Sequence, residues 1–152
     1  MHASQPSSKA VATGLHPAAW AEGTDICRPV KPDTIAKSLA IGNPADGPYA
    51  VELANRTGGS IDSVTDDEIR AGIRLLAETT GIFTETAGGV TTAVLAKIAA
   101  RGDIGADERV VLVITGDGLK TLDAVRDSFT AVEVDPSIES FEAAFAERGA
   151  SV

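Results

Sequence analysis

The stretch "VVLVITGDGLK", residues Val110 to Lys120, decides how this chain is read. Its opening residues are apolar without alternation, the mark of a strand buried on both faces of a parallel sheet. Thr115-Gly116-Asp117-Gly118 then ends the run. In open α/β sheets, ligands bind beyond the carboxyl ends of strands. Thr115 therefore stands where a small ligand is expected.

Working backwards, "TAGGVTTAVLAKIAARG" reads as a helix opened by Gly88 and Gly89 and closed by Gly102. A brief strand, "IFTE" at 82–85, precedes it. "TDDEIRAGIRLLAETTG" is the clearest helix. Thr65 and Glu68 form a capping box, and Asp66 and Asp67 meet the positive end of the helix dipole. Ile69, Ile73, Leu76 and Ala77 share one face, and Gly81 supplies the stop. "SIDSV" reads as a short strand and "YAVELANRTGG" as a helix stopped by Gly58 and Gly59. Pro29, Pro32, Pro44 and Pro48 exclude long regular structure from 28–50, apart from a helical turn at Thr34–Leu39. Residues 1–16 lack periodicity and read as a flexible leader. Forward of Lys120, a short helix to Arg126, a weak strand "TAVEV" and a helix over 137–148 capped by Ser137 complete the chain.

Strands alternate with helices. That pattern predicts an α/β fold, a three-layer αβα unit with a mostly parallel sheet. One domain fits the length of 152 residues, which permits burial of about 68–70% of the unfolded surface. The net charge of −9 argues against nucleic acid and anionic membrane surfaces, since both require basic patches. No apolar run approaches the roughly 18 residues of a membrane helix. "MHASQPSSKAVATG" has neither a secretory nor a mitochondrial signal pattern. Cys27 is the single cysteine. It excludes an internal disulfide and fits a reducing cytoplasm.

Most chemical motifs fail on inspection. "GDGLKT" lacks the third glycine of a dinucleotide fingerprint, and no GxxxxGK[ST] phosphate loop occurs. In "IGNPADG", Pro44 removes a backbone donor that a phosphate loop needs. His2 and His16 fall in the leader, away from any role beside Cys27. Asp46, Asp62, Asp66 and Asp67 read as turn and helix-start acids, and no His/Cys cluster supports a metal. "ETAGGVTTA" admits two readings. Its helix-start amides suit an anion or a ring substituent, and its small residues equally suit close packing of helix on sheet.

Three segments together, "KPDTIAKSLAIGNPADG", "ETAGGVTTAVL" and "VVLVITGDGLK", resemble the C-terminal part of threonine synthase in order and spacing. The resemblance covers about residues 17 to 143 and implies a partial pyridoxal-phosphate (PLP) domain of the tryptophan-synthase-β kind, fold type II, here over 17–148. The activity implied is conversion of O-phosphohomoserine and water to threonine and phosphate, with PLP as electron sink. It further implies that Thr115 meets the pyridine nitrogen, that Glu85 and Ala87 lie along the ring's edge, and that Ser38 lies near ring or substrate.

The family's Schiff-base lysine belongs to a "SFKDR"-like motif in an N-terminal half. None of Lys9, Lys31, Lys37, Lys97 and Lys120 has that context, so no catalytic residue is assigned. The glycine-rich phosphate loop belongs to the same half. PLP and the amino-acid substrate are therefore expected to bind only when an N-terminal half or a full-length homologue completes the site. The chain alone is expected to be inactive and either marginally stable or self-associating, because its sheet would expose an apolar edge. Asp117 stands where many relatives carry His. Two other functions fit less of the pattern: a non-catalytic metabolite- or partner-binding module, and part of a serine/threonine dehydratase-like lyase.

Overall fold

The computed structural model describes residues 11–12, 16–128 and 131–146. Two consecutive helices form its centre. α3 (Asp66–Thr80) begins as its sequence dictates: the Thr65 hydroxyl accepts from the Glu68 amide at 3.2 Å, and Glu68 accepts from the Thr65 amide at 2.6 Å. α4 (Thr86–Ala100) follows a short connection. The two approach through glycines. A Cβ on Gly72 would strike the Gly89 carbonyl, and one on Gly89 would lie 2.7 Å from the Ile69 carbonyl and from Ile73.

This contact builds the main core. Ile69 and Ile73 of α3 pack with Val90, Val94 and Ile98 of α4, and Ala36, Ala124 and Val125 close the cluster. A smaller cluster joins two earlier helices, α1 (His16–Ala21) and α2 (Gly47–Thr57), through Ala19, Val51 and Ala54, with Ile61 beneath.

Between the clusters runs the proline-rich segment. It is fixed where Asp66 accepts from the Thr34 hydroxyl at 2.7 Å and from the Ile35 amide at 3.2 Å. The expected turn follows as a 3-10 helix, Lys37–Leu39.

The sheet differs most from expectation. Two short strands, β1 (Val11–Ala12) and β2 (Ser60–Ile61), pair in parallel. β1 lies inside the stretch read as a leader, most of which falls outside the described residues. The mostly parallel three-layer sheet is not formed among the described residues. Among the described residues, Val110–Thr115 has no ladder partner and "IFTE" contributes an antiparallel bridge from Thr84 to Asp117. A strand exists by virtue of its neighbour, so an apolar pattern alone does not produce one. Along 111–115 burial alternates: Leu112 and Ile114 are half-buried, while Val111, Val113 and Thr115 are exposed.

Beyond Lys120 the chain forms 3-10 helices, Gly118–Ala124 and Arg126–Ser128, in place of the expected α-helix. Thr121 is the cause, with φ −135° and ψ 42° breaking the helical path. Residues 131–134 of the expected weak strand are unpaired among the described residues, and Thr130 lies outside them. α5 (Ile138–Ala146) starts where expected, with the Ser137 hydroxyl accepting from the Ser140 amide at 3.1 Å. Residues 147–148 of that helix lie outside the described residues.

Candidate functional site

The two strand ends singled out in the sequence meet. The Gly116 carbonyl accepts from the Glu85 amide at 3.1 Å and from the Thr84 hydroxyl at 3.2 Å, and the Phe83 carbonyl accepts from the Gly118 amide at 3.1 Å. One turn further, the Thr121 hydroxyl accepts from the Thr86 amide at 3.1 Å. These bonds set the start of α4 beside the Thr115–Gly118 turn.

Glu85 sits at the centre of this junction. It is the residue preceding the first turn of α4, yet its side chain makes no capping bond to the helix amides. Its side chain is only 9% exposed and lies 3.8 Å from the Lys120 ammonium. The carboxylate folds over Gly116, where any Cβ would overlap Glu85 Oε1. Glycine is thus required at 116 for this placement. Gly118 is under similar pressure, since its Cβ would meet the Phe83 ring at 2.5 Å.

Thr115 precedes Gly116 and is exposed. Ala87 is buried in the first turn of α4 at 8% exposure. Thr84 and Thr86 are fully buried, and Thr86 Oγ1 has no hydrogen-bond partner. Ser38 is exposed on the 3-10 turn Lys37–Leu39, which packs against α4. Thr115, Glu85 and Ala87 therefore belong to one junction. Ser38 shares the α4 scaffold, and among the described residues it has no hydrogen bond to that junction.

A model of the pyridoxal-phosphate dependent enzymes matches residues 2–116. The chain belongs to that family. The match takes in Ser38, Glu85, Ala87 and Thr115, and it begins within the stretch read as a leader. Curated relatives carry the name threonine synthase. The protein from Halalkalibacterium halodurans is 43% identical over 108 residues, 71% of this chain and 30% of its own length. That from Bacillus sp. strain ULM1 is 46% identical over 93 residues, 61% of this chain and 26% of its own. That from Methanocaldococcus jannaschii is 40% identical over 112 residues, 73% and 28%. The chain thus spans less than a third of the length of these relatives.

Family members depend on pyridoxal phosphate. The junction fits one side of that group. Thr115 carries an exposed hydroxyl, and Glu85 and Ala87 stand on either side of Thr86 at the start of α4. The fit does not extend to aldehyde or phosphate. Lys120, the lysine of this turn, faces the Glu85 carboxylate at 3.8 Å.

Sequence reasoning missed three contributors. Lys120 partners Glu85, Thr121 receives the Thr86 amide, and the Asp117 side chain caps the following 3-10 helix by accepting from the Leu119 amide at 2.8 Å. An acid immediately before a helical turn, bonding the amide two residues on, is a recognised cap pattern, so the Asp117 role was readable. The Lys120 and Thr121 contacts depend on tertiary placement.

Proposed function

We propose that this chain supplies the ring-side part of a threonine synthase-like, pyridoxal-phosphate-dependent lyase that converts O-phosphohomoserine and water to threonine and phosphate. The observation that carries the reading is the junction at Gly116, where the Glu85 amide and the Thr84 hydroxyl meet one carbonyl next to Thr115. The relatives' printed name, threonine synthase, supports the same product.

In this reading the bound cofactor supplies an electron sink for the substrate's carbanions. Thr115 orients the ring through its nitrogen. A hydroxyl is neutral and does not hold that nitrogen protonated, which suits elimination and replacement over transamination. Ala87 gives the ring edge an apolar wall, and the Glu85 carboxylate lies beside it. Ser38 faces ring or substrate. A second polypeptide, an N-terminal half or a full-length homologue, contributes the anchoring lysine and the phosphate cradle. The bare Val111–Val113–Thr115 face supports such a partner, since an extended apolar edge invites strand addition.

The test mixes this chain with a polypeptide comprising the N-terminal portion of a relative, adds pyridoxal phosphate, and records visible absorbance and threonine formation. Absorbance and product in the mixture, with neither in the chain alone, is expected. Turnover by the chain alone would overturn its dependence on a partner. Silence in the mixture would overturn the enzyme reading and favour a non-catalytic binding module. A keto-acid product in place of threonine would indicate a dehydratase-like lyase.

A further inference from the structure

We propose that Lys120 is a positioning residue that holds the Glu85 carboxylate over Gly116 and away from the Thr115 hydroxyl. The functional consequence rests on the reading of Thr115 given above; the positioning itself stands on the geometry. Glu85 Oε1 occupies the space of a Cβ on Gly116, so a carboxylate lies beside the residue that follows Thr115. Lys120 Nζ stands 3.8 Å from Oε2, on the side reached through Asp117 and Gly118. Thr115 and Lys120 thus stand at the two ends of the short segment that carries Gly116.

The turn that delivers the ammonium is itself pinned. The Asp117 carboxylate accepts from the Leu119 amide at 2.8 Å, and the Lys120 amide donates to the Asp117 carbonyl at 3.3 Å. The Glu85 backbone is fixed to Gly116, so its side chain alone is free to choose a direction. No helix amide holds that side chain. Lys120 is 62% exposed, so the attraction itself is modest, but the acid is only 9% exposed, and removing its cation leaves that carboxylate without its nearest positive charge. It would then turn to the nearest donor or to water, and the Thr115 hydroxyl is a donor within one residue.

The chemical consequence follows. An acid beside a pyridine-type nitrogen shares a proton with it and strengthens the ring as an electron sink, whereas a hydroxyl alone leaves the nitrogen neutral. By drawing the acid aside, Lys120 leaves Thr115 to set the ring's polarity.

The test uses the whole chain, labelled with a water-soluble carbodiimide and glycinamide and read peptide by peptide. Lys120→Met and Lys120→Gln are expected to raise labelling of Glu85 several-fold. Asp62, held by Arg101, stays unchanged, and Lys120→Arg restores protection. Equal Glu85 labelling in wild type and Lys120→Met would overturn the proposal. So would loss of folding in both neutral variants with a folded Lys120→Arg, because Lys120 would then be structural. In the assembled enzyme, Lys120→Met is expected to move the pH profile of the cofactor's visible absorbance while Lys120→Arg does not; superimposable profiles would overturn the consequence for Thr115. Failure of the underlying functional reading looks different: no cofactor absorbance forms with wild type, whatever the labelling of Glu85.

Discussion

The Thr34 hydroxyl donates to the Asp66 carboxylate at 2.7 Å, joining residues 32 positions apart. The same carboxylate accepts from the Ile35 amide through both oxygens at 3.2 Å. One acid in the first turn of α3 therefore anchors the segment that leads to Ser38. Asp66→Ala leaves a part-buried amide and hydroxyl without their acceptor, at a cost of about 1–3 kcal/mol. Urea denaturation measures the loss, and amide exchange at Ile35 is expected to accelerate. An unchanged midpoint would show that water replaces the carboxylate.

Thr65→Ala removes one half of the capping box and leaves the other in place. The Glu68 amide loses its acceptor, while the Glu68 carboxylate keeps the Thr65 backbone amide. A loss of about 0.5–2 kcal/mol is expected. The Thr65 backbone amide first, and the Thr65 side chain second, hold the Glu68 carboxyl below its ordinary range. The variant should accordingly raise the Glu68 titration midpoint, which carboxyl-detected NMR follows directly.

The helical half of the fold was legible because its signals are local. The capping box at Thr65, the apolar spacing of Ile69, Ile73 and Leu76, and the stop at Gly81 all lie within one helix. Val110–Thr115 was not legible in the same way. Its unbroken apolar run specifies a strand only if a neighbour supplies the ladder, and no described residue does. Asp66 was half legible: its place at a helix start was read, and its bond to Thr34 was not, since that bond needs the proline-rich segment to return. Thr115 was singled out by the strand end and the role of Glu85 by the resemblance; the bond from the Glu85 amide to the Gly116 carbonyl, next to Thr115, was legible in neither.

Gly89→Ala tests the close approach of α3 and α4. The added methyl would sit 2.7 Å from the Ile69 carbonyl, and backbone cannot yield as a flexible side chain can. Greater helix propensity favours alanine by at most about 1 kcal/mol, and overpacking of this kind costs about 1–3 kcal/mol or more. A net destabilisation is expected by thermal denaturation. A rise in melting temperature would mean that the helices separate without loss.

Asp62 links β2 to the last turn of α4, 2.5 Å from Arg101 and 3.4 Å from Lys97. Burial pushes its carboxyl up, but the Arg101 hydrogen bond, the Ser63 amide and the nearby charges outweigh this and hold it below 3.8. With the folded value the lower one, the unfolded chain binds the proton first. The contribution is complete above the ordinary carboxylate range and is lost as pH falls through the folded value. Asp62→Asn should therefore lower stability at neutral pH and flatten the acid limb of the stability profile below about pH 4. Parallel acid limbs in the two proteins would assign the acid sensitivity elsewhere.

Val111 is 87% exposed and Val113 62% exposed, on the same side of an extended segment as Thr115. Two neighbouring valines with unpaired backbone on an accessible edge favour pairing with another chain. The isolated chain is therefore expected to self-associate with rising concentration in sedimentation velocity. Val111→Lys with Val113→Lys should suppress this, because lysines on an edge oppose strand addition. Stability should change by no more than about 0.5 kcal/mol, as both side chains already face solvent. The same double variant should weaken docking of an N-terminal portion. A chain that stays monomeric would overturn the expectation, and a double variant that still associates would place the sticky surface elsewhere. The alternative is α5, where Phe141 and Phe145 stack at 4.6 Å and both are exposed. Phe141→Ser in the same assay separates the two: association should persist in it and vanish in the valine variant.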